Sequence, residues 1–347
     1  MKEILQDFSK EQIEALVADH GEKKFRAEQI FLGLMQGKRI SELPVSSKLR
    51  EELLARFEDE PVKILETFTS KDDGTKKFLF LLSDGNLIEG VLMKYKYGNT
   101  QCVSTQVGCR MGCKFCASTL NGLIRNLTAG EILCQILAVN RAEGGNLKDR
   151  AVTNVVLMGS GEPFDNYDQV VPFLRLLTAE GGINISARNV SLSTCGLVPE
   201  MKRFAEEGIP LNLTVSLHAS SDVERMRTMP VANKYKIDEI LDACSYYFKK
   251  TGRRYIFEYS LIAGENCDEE HALALAWLLK GRPCHVNLIR LNEVKERELK
   301  SVNEKEAYRF LGVLEKQGIS ATLRRSMGSD IGGACGQLRA RYLEEKK

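Results

Sequence analysis

This chain of 347 residues lacks a charge of one sign: 49 Lys and Arg stand against 47 Asp and Glu, a formal net charge of +2. No bulk electrostatic field announces a nucleic-acid partner, and none excludes one. The chain has no apolar run near the ~18 residues of a membrane span. Its opening stretch, MKEILQDFSK, is charged and has no apolar signal core. A cytoplasmic protein with no membrane partner is therefore expected. Sequence repeats and low-complexity linkers are missing too. What remains is ordinary globular composition, 43% hydrophobic and 28% charged. A disordered tail, a collagen and a coiled-coil rod are excluded. The length fits about two domains, or one large domain with an extension.

A disulfide framework is the last absence. Such frameworks belong to small secreted chains, and this one is neither small nor visibly secreted. Its ten cysteines are Cys102, Cys109, Cys113, Cys116, Cys134, Cys195, Cys244, Cys267, Cys284 and Cys335. In a reducing compartment, a cysteine cluster binds metal or does chemistry. The first four of these fall close together. Most of the others read as small buried hydrophobes.

Residues 1–60 read as helices. Ser9 and Gln12 form a capping box ahead of Ile13, Leu16 and Val17. FRAEQIFLGLMQG and SSKLREELLARF repeat apolar residues at helical spacing. Lys23, Lys24, Arg26, Lys38, Arg39, Lys48 and Arg50 form either a basic face or ordinary solvated helix surfaces. Over residues 61–98 the period changes to two: VKILETFTS, KKFLFLLS and NLIEGVLMKY read as an antiparallel meander with Asp-Asp-Gly and Ser-Asp-Gly turns. From residue 99 to 347, strands and helices alternate. The spacing predicts an α/β fold with a parallel sheet and right-handed crossovers, a partial (β/α)6 barrel of about six units. Ligands of such folds sit at the carboxyl ends of the strands.

The strand QCVSTQVGC leads into Cys109, Cys113 and Cys116, a C-x-x-x-C-x-x-C loop. Three thiolates on one short loop can hold three irons of a cubane cluster and leave the fourth open for a ligand. Ordinary clusters use four cysteines, and a structural zinc site uses four Cys or His ligands. No fourth Cys or His lies nearby in sequence. Zinc binding, or a purely structural role, is the alternative. MGSGEPF (Met158–Phe164) follows the second barrel strand, with Gly161 allowing close backbone approach and Glu162 offering a carboxylate to an ammonium group. Ser193, the run Ser216-Leu217-His218, and Asn292 end later strands. Each alone could be a satisfied loop residue, but together they occupy the ligand end of the barrel. Cys335 lies among glycines in D-I-G-G-A-C-G-Q-L. Glu89 shares a strand face with Leu87, Val91 and Met93, so it marks either a mispredicted edge or a carboxylate kept from water for proton transfer.

The three-cysteine loop, with Phe115 in C-K-F-C, resembles that of the radical S-adenosylmethionine (AdoMet) superfamily. Across its whole length the chain resembles the RlmN/Cfr family of radical AdoMet RNA methyltransferases. The resemblance rests on CVSTQVGCRMGCKFCAST, NGLIRNLTAGEI, MGSGEPFDN, ARNVSLST, VSLHA, TGRRYIFEY, CHVNLIRLN and SDIGGACGQLR. Ser160, Cys195 and Arg290 depart from the family pattern, at non-catalytic positions. The resemblance implies that residues 1–60 are a helix-hairpin-helix-like accessory RNA-binding domain. It implies a [4Fe–4S] cluster on Cys109, Cys113 and Cys116, whose open iron chelates AdoMet. It implies AdoMet contacts at Gly161, Glu162, Ser193, Ser216, Leu217, His218 and Asn292.

The resemblance also implies the reaction. One AdoMet methylates Cys335, and a second yields a 5′-deoxyadenosyl radical that takes a hydrogen from the S-methyl group. The methylene adds to adenine C2, Glu89 removes the C2 proton, and Cys102 attacks the Cys335 sulfur. The methylated base leaves, and a transient Cys102–Cys335 disulfide remains. The implied substrates are an adenosine of the peptidyl-transferase centre of 23S rRNA and the adenosine 3′ to the anticodon of tRNAs. Methylation at C8 of the rRNA base is the alternative within the family. A non-catalytic iron–sulfur RNA-binding protein is the alternative of another class. The other expected partner is an electron donor such as flavodoxin or ferredoxin, and the enzyme is expected to act as a monomer.

Overall fold

The computed structural model describes residues 2–332. Three helices open it: α1 (Lys10–Asp19), α2 (Lys24–Met35) and α3 (Ser47–Arg56). The capping box forms: the Gln12 amide donates to Ser9 Oγ, and the Ser9 amide donates to Gln12 Oε1. Ile13, Leu16 and Val17 of α1 and Ile30, Phe31 and Leu34 of α2 are buried. Several basic residues of this region are already neutralised. Lys24 pairs with Glu14, Arg39 with Glu42 and Lys48 with Glu52.

The meander follows as β1 (Val62–Thr69), β2 (Lys76–Leu82) and β3 (Leu87–Tyr95). Next come β4 (Gly98–Cys102), β5 (Gln106–Gly108), β6 (Leu123–Asn126) and α4 (Ala129–Ala142). The alternating part continues with β7 (Asn154–Leu157), α5 (Tyr167–Thr178), β8 (Val190–Thr194), α6 (Val198–Ala205) and β9 (Asn212–Ser216). It ends with α7 (Asp222–Thr228), α8 (Ile237–Thr251), β10 (Tyr255–Leu261), α9 (Glu269–Leu279), β11 (Cys284–Arg290), α10 (Glu304–Lys316) and β12 (Ala321–Leu323).

One sheet of ten strands carries the fold, in the order β1-β2-β3-β4-β7-β8-β9-β10-β11-β12. Neighbours from β4 to β12 are parallel, and β1 to β4 are antiparallel. The order does not close on itself, so the barrel is partial, as expected. The meander continues the barrel sheet: β3 pairs with β4 from Val91↔Cys102 to Tyr95↔Gly98. Leu157, Leu192, Val215, Phe257 and Leu288, from successive strands, are fully buried with the inner faces of the helices. Among the described residues no helix is long and apolar enough to cross a membrane.

The structure corrects one strand. QCVSTQVGC is two strands, not one: β4 stops at Cys102, and β5 pairs with β6 in a separate ribbon. Side chains pull the chain out of the sheet between them. The Ser104 amide donates to Gln135 Oε1 at 2.9 Å, and Ser104 Oγ donates to the Glu89 carbonyl at 2.8 Å. The cysteine loop therefore follows β5, not the first barrel strand itself.

Candidate active site

The cysteine loop is held by its own glycines and by α7. Gly108 sits at φ +81°, and a Cβ there would lie 2.0 Å from the Gly122 carbonyl oxygen, so only glycine fits. The Lys114 amide donates to the Thr228 carbonyl at 2.9 Å. Thr119 Oγ1 donates to the carbonyls of Cys113 and Cys116 at 3.1 and 2.9 Å. The result is one cavity of about 360 Å³ onto which Cys109, Cys113 and Cys116 all open.

The thiol wall packs on apolar groups. Cys113, Cys195 and Met229 form a buried apolar group, with Met111, Phe115 and Val231 packed against it. Burial, then the neighbouring thiols and Glu162, pushes the Cys113 thiol up. Burial pushes Cys109 up to about 12. Such thiols ionise when they bind a cationic centre. The Arg225 guanidinium is fully buried beside them. It donates to the carbonyls of Leu217, Cys195 and Ser216, while Nη1 has no hydrogen-bond partner. A sulfur-only donor set next to a buried cationic N–H fits an anionic iron–sulfur cluster.

Most other predicted residues reach the same cavity. Gly161, Glu162, Ser193, Ser216, His218 and Asn292 line it. Gly161 is required by protein as well as open to ligand: at φ +112°, a Cβ would meet Gln106 Cβ at 2.7 Å. Glu162 is buried, and its oxygens accept from the amides of Cys195 at 2.7 Å and Phe164 at 3.1 Å. Burial raises its pKa despite those amides. His218 takes a left-handed backbone, φ 56°, unusual for a side chain of its size. Its Nδ1 accepts from the Ser260 amide at 3.0 Å, and its ring meets Phe115 edge-on at 4.8 Å. Burial, then Arg225, lowers its pKa to about 3, so the imidazole is neutral. Leu217 is the exception. Its side chain lies in the hydrophobic core and its amide is bonded to the Glu258 carbonyl, so it shapes the turn and does not line the cavity.

A second wall is formed by β3 and β4. Val91, Met93 and Cys102 line the cavity, and Val91 and Cys102 are paired in register. Glu89 lies on that face, one pleat from Val91. Glu89 pairs with Leu79 of β2 and its side chain is buried, so the exposed-edge alternative is excluded. Glu89 Oε2 lies 2.9 Å from Lys77 Nζ, with the two side chains 2% and 0% exposed. Cys335 lies outside the described residues.

Three residues of the site went unnoticed in the sequence. Glu258 lines the cavity, and its Oε1 accepts from Arg324 at 2.9 Å while Oε2 accepts from Ser193 Oγ at 3.4 Å. Lys77 and Glu258 carried the signal that singled out Glu89, a charge inside an apolar strand. Arg225 carried none, since its burial arises only when α7 docks on the turns after β8 and β9.

Comparison with known proteins agrees with this geometry. A model of the Radical SAM superfamily matches residues 103–276. A probable dual-specificity RNA methyltransferase RlmN of Clostridium perfringens is 50% identical over 350 residues, covering 100% of this chain and 99% of its own. Its counterpart in Lachnoclostridium phytofermentans is 49% identical, covering 96% and 94%. The chain belongs to the RlmN family of radical SAM methyltransferases. The crystal structure of a radical SAM methyltransferase from Sphaerobacter thermophilus superposes with a TM-score of 0.91 at 41% identity, over 96% of this chain and 98% of that one. The family assignment makes the protein an enzyme and excludes the non-catalytic reading.

Proposed function

We propose that this enzyme methylates carbon 2 of adenine in RNA, at an adenosine of the 23S rRNA peptidyl-transferase centre and at the adenosine 3′ to the anticodon of tRNAs. The RNA methyltransferase names of its relatives support the substrate class. One observation carries the chemistry: a single cavity has three thiols on one wall and Cys102 on the other, with buried Glu89 on that second wall's face. A [4Fe–4S] cluster on Cys109, Cys113 and Cys116 would supply the electron that splits AdoMet. Glu162, Ser193, Ser216, His218 and Asn292, with the backbone at Gly161, hold AdoMet in the cavity.

The remaining roles fall to this chain's own groups. Cys335 carries the methyl carbon on its sulfur and joins it to C2. Glu89 accepts the C2 proton. The Cys102 thiolate attacks the Cys335 sulfur, the electron pair of the broken carbon–sulfur bond stays with the carbon, which takes a proton to complete the methyl group, and the methylated base leaves. The described chain ends at Gly332, whose carbonyl oxygen lies 2.6 Å from Lys77 Nζ. The adenine must leave its stack to enter.

The test is mass spectrometry of 23S rRNA fragments and tRNA after reaction with methyl-labelled AdoMet. 2-Methyladenosine is expected in both. 8-Methyladenosine in the rRNA would replace this reading with its C8 counterpart, and unmodified RNA would overturn both.

A further inference from the structure

The β1–β2 turn does more than reverse the chain. Asp73 Oδ1 accepts from the Thr75 amide within the turn, and Asp73 Oδ2 accepts from the Gly328 amide at 2.9 Å. In return, the Lys71 amide donates to Asp330 Oδ2 at 2.9 Å. Lys77, at the start of β2, donates to the Gly332 carbonyl at 2.6 Å and pairs with Glu89 at 2.9 Å. These contacts join the meander to residues more than 250 positions later in the chain. They end at the last described residue, three short of Cys335. A fully buried lysine is costly unless its charge is compensated, and here a carboxylate and a carbonyl both compensate it. The barrel needs none of this, because a three-strand extension on β4 could close on any turn.

We propose that Lys77 is a positioning residue that fixes the Glu89 carboxylate and the Gly332 carbonyl together, while Asp73 and Asp330 dock residues 328–332 on the β1–β2 turn. The meander is thus the frame that holds residues 328–332, three positions short of Cys335 in sequence, beside the group that takes the proton. Lys77 touches neither RNA nor AdoMet. It acts through Glu89 and through the main chain. This inference rests on the C2-methylation reading for its catalytic consequence, but not for the docking itself.

Three variants test it, in holoenzyme with its cluster absorbance and melting temperature checked. Asp73→Ala leaves Glu89 and Lys77 untouched. Its Gly328 amide should exchange with solvent at least tenfold faster, with β10 amides unchanged, and S-methylation of Cys335 should slow threefold or more. Lys77→Met should lower kcat for RNA methylation at least tenfold with KM for RNA unchanged. It should also slow Cys335 methylation. Lys77→Arg should return kcat to within threefold of wild type. Removing one partner of a buried pair can unfold a protein; if Lys77→Met does not fold, Asp73→Ala and Lys77→Arg decide. Unchanged Gly328 exchange in Asp73→Ala overturns the docking. Wild-type kcat in folded Lys77→Met, or failure of Lys77→Arg to retain activity, overturns the role of Lys77. A wild-type protein that never methylates Cys335 sinks the functional reading instead, and the exchange data then judge the docking alone.

Discussion

The two walls of the cavity are built on opposite principles. On the β3–β4 wall, the charged group is compensated from within: Glu89 meets Lys77, and Lys77 meets Gly332. On the cysteine-loop wall, the polar groups wait. Cys109 and Cys113 are thiols that burial keeps protonated, and Arg225 Nη1 is buried with no acceptor. A wall completed by its own residues can place a proton acceptor in advance of substrate. A wall left incomplete is fitted to a group from outside, whose negative charge would use the stranded N–H and whose iron would ionise the thiols. The difference suits the proposed division, with cofactor binding on one wall and the handling of the base on the other.

Removing the donors of the incomplete wall gives the largest effect. Alanine at Cys109, Cys113 or Cys116 should abolish bound iron, the cluster's absorbance and AdoMet cleavage. Stoichiometric zinc without iron in anaerobically purified wild type would erase the contrast between the walls. The completed wall should fail at a later step. Cys102→Ala should let the carbon–C2 bond form and block its resolution, lowering turnover by at least 100-fold, about 2.7 kcal/mol of barrier. A covalent protein–RNA adduct that survives denaturation is the readout. Glu89→Gln should trap the same adduct for want of a proton acceptor. Normal turnover by Cys102→Ala would make that cysteine a buried strand residue and remove the disulfide step.

The walls also differ in how far the sequence betrays them. The thiols were legible because a metal-binding loop is local: three ligands within eight residues need no tertiary contact to be noticed. Glu89 was legible because a charge on an alternating apolar face breaks a period of two. Lys77 in KKFLFLL and Glu258 in RRYIFEYSL break it in the same way, but the partners that explain them, Glu89 and Arg324, are remote in sequence. Arg225 sits in a short helix whose composition suits a solvent face. Leu217 was placed in the site by its neighbours, since Ser216 and His218 point into the cavity and the residue between them points away. The β5–β6 ribbon stayed hidden because Val103 to Thr105 keep strand-like composition while Ser104 leaves the ladder. The alternation of barrel strands with helices was legible because short, mainly apolar runs recur between stretches of helical period.

Glu258 bridges the two principles, since both its oxygens are engaged by protein and it still lines the cavity. Its Oε1 accepts from Arg324, and its Oε2 accepts from Ser193 Oγ, which lines the same cavity. Glu258→Gln keeps the shape and removes the charge. Losing a hydrogen bond to a charged group is worth about 1.5 kcal/mol, so the AdoMet Kd should rise about tenfold. Isothermal titration under anaerobic conditions measures it. An unchanged Kd would separate Ser193 from AdoMet binding and leave Glu258 as internal support for Arg324.

The smallest expected effect concerns the charge state of the incomplete wall. His218 is buried against Phe115, and its Nδ1 is already occupied by the Ser260 amide. Its folded-state pKa is lowered to about 3 from 6.5, first by burial and then by Arg225. Below pH 6.5 the unfolded chain takes up a proton that the folded chain refuses. Stability is therefore lost as pH falls from 6.5 towards 3, at up to about 1.4 kcal/mol per pH unit. His218→Gln cannot titrate and lacks this slope. From pH 7 to pH 5.5, wild type should lose about 1 kcal/mol more than the variant, measured from urea midpoints of the two holoproteins. By the same reasoning, AdoMet affinity should show no inflection near pH 6.5 that disappears with His218→Gln. If the two proteins instead keep a constant stability difference, His218 takes up its proton in the folded state at its ordinary pKa. The cysteine-loop wall would then hold two cations at acid pH, and Arg225 would not be alone in answering the negative charge of a bound cluster.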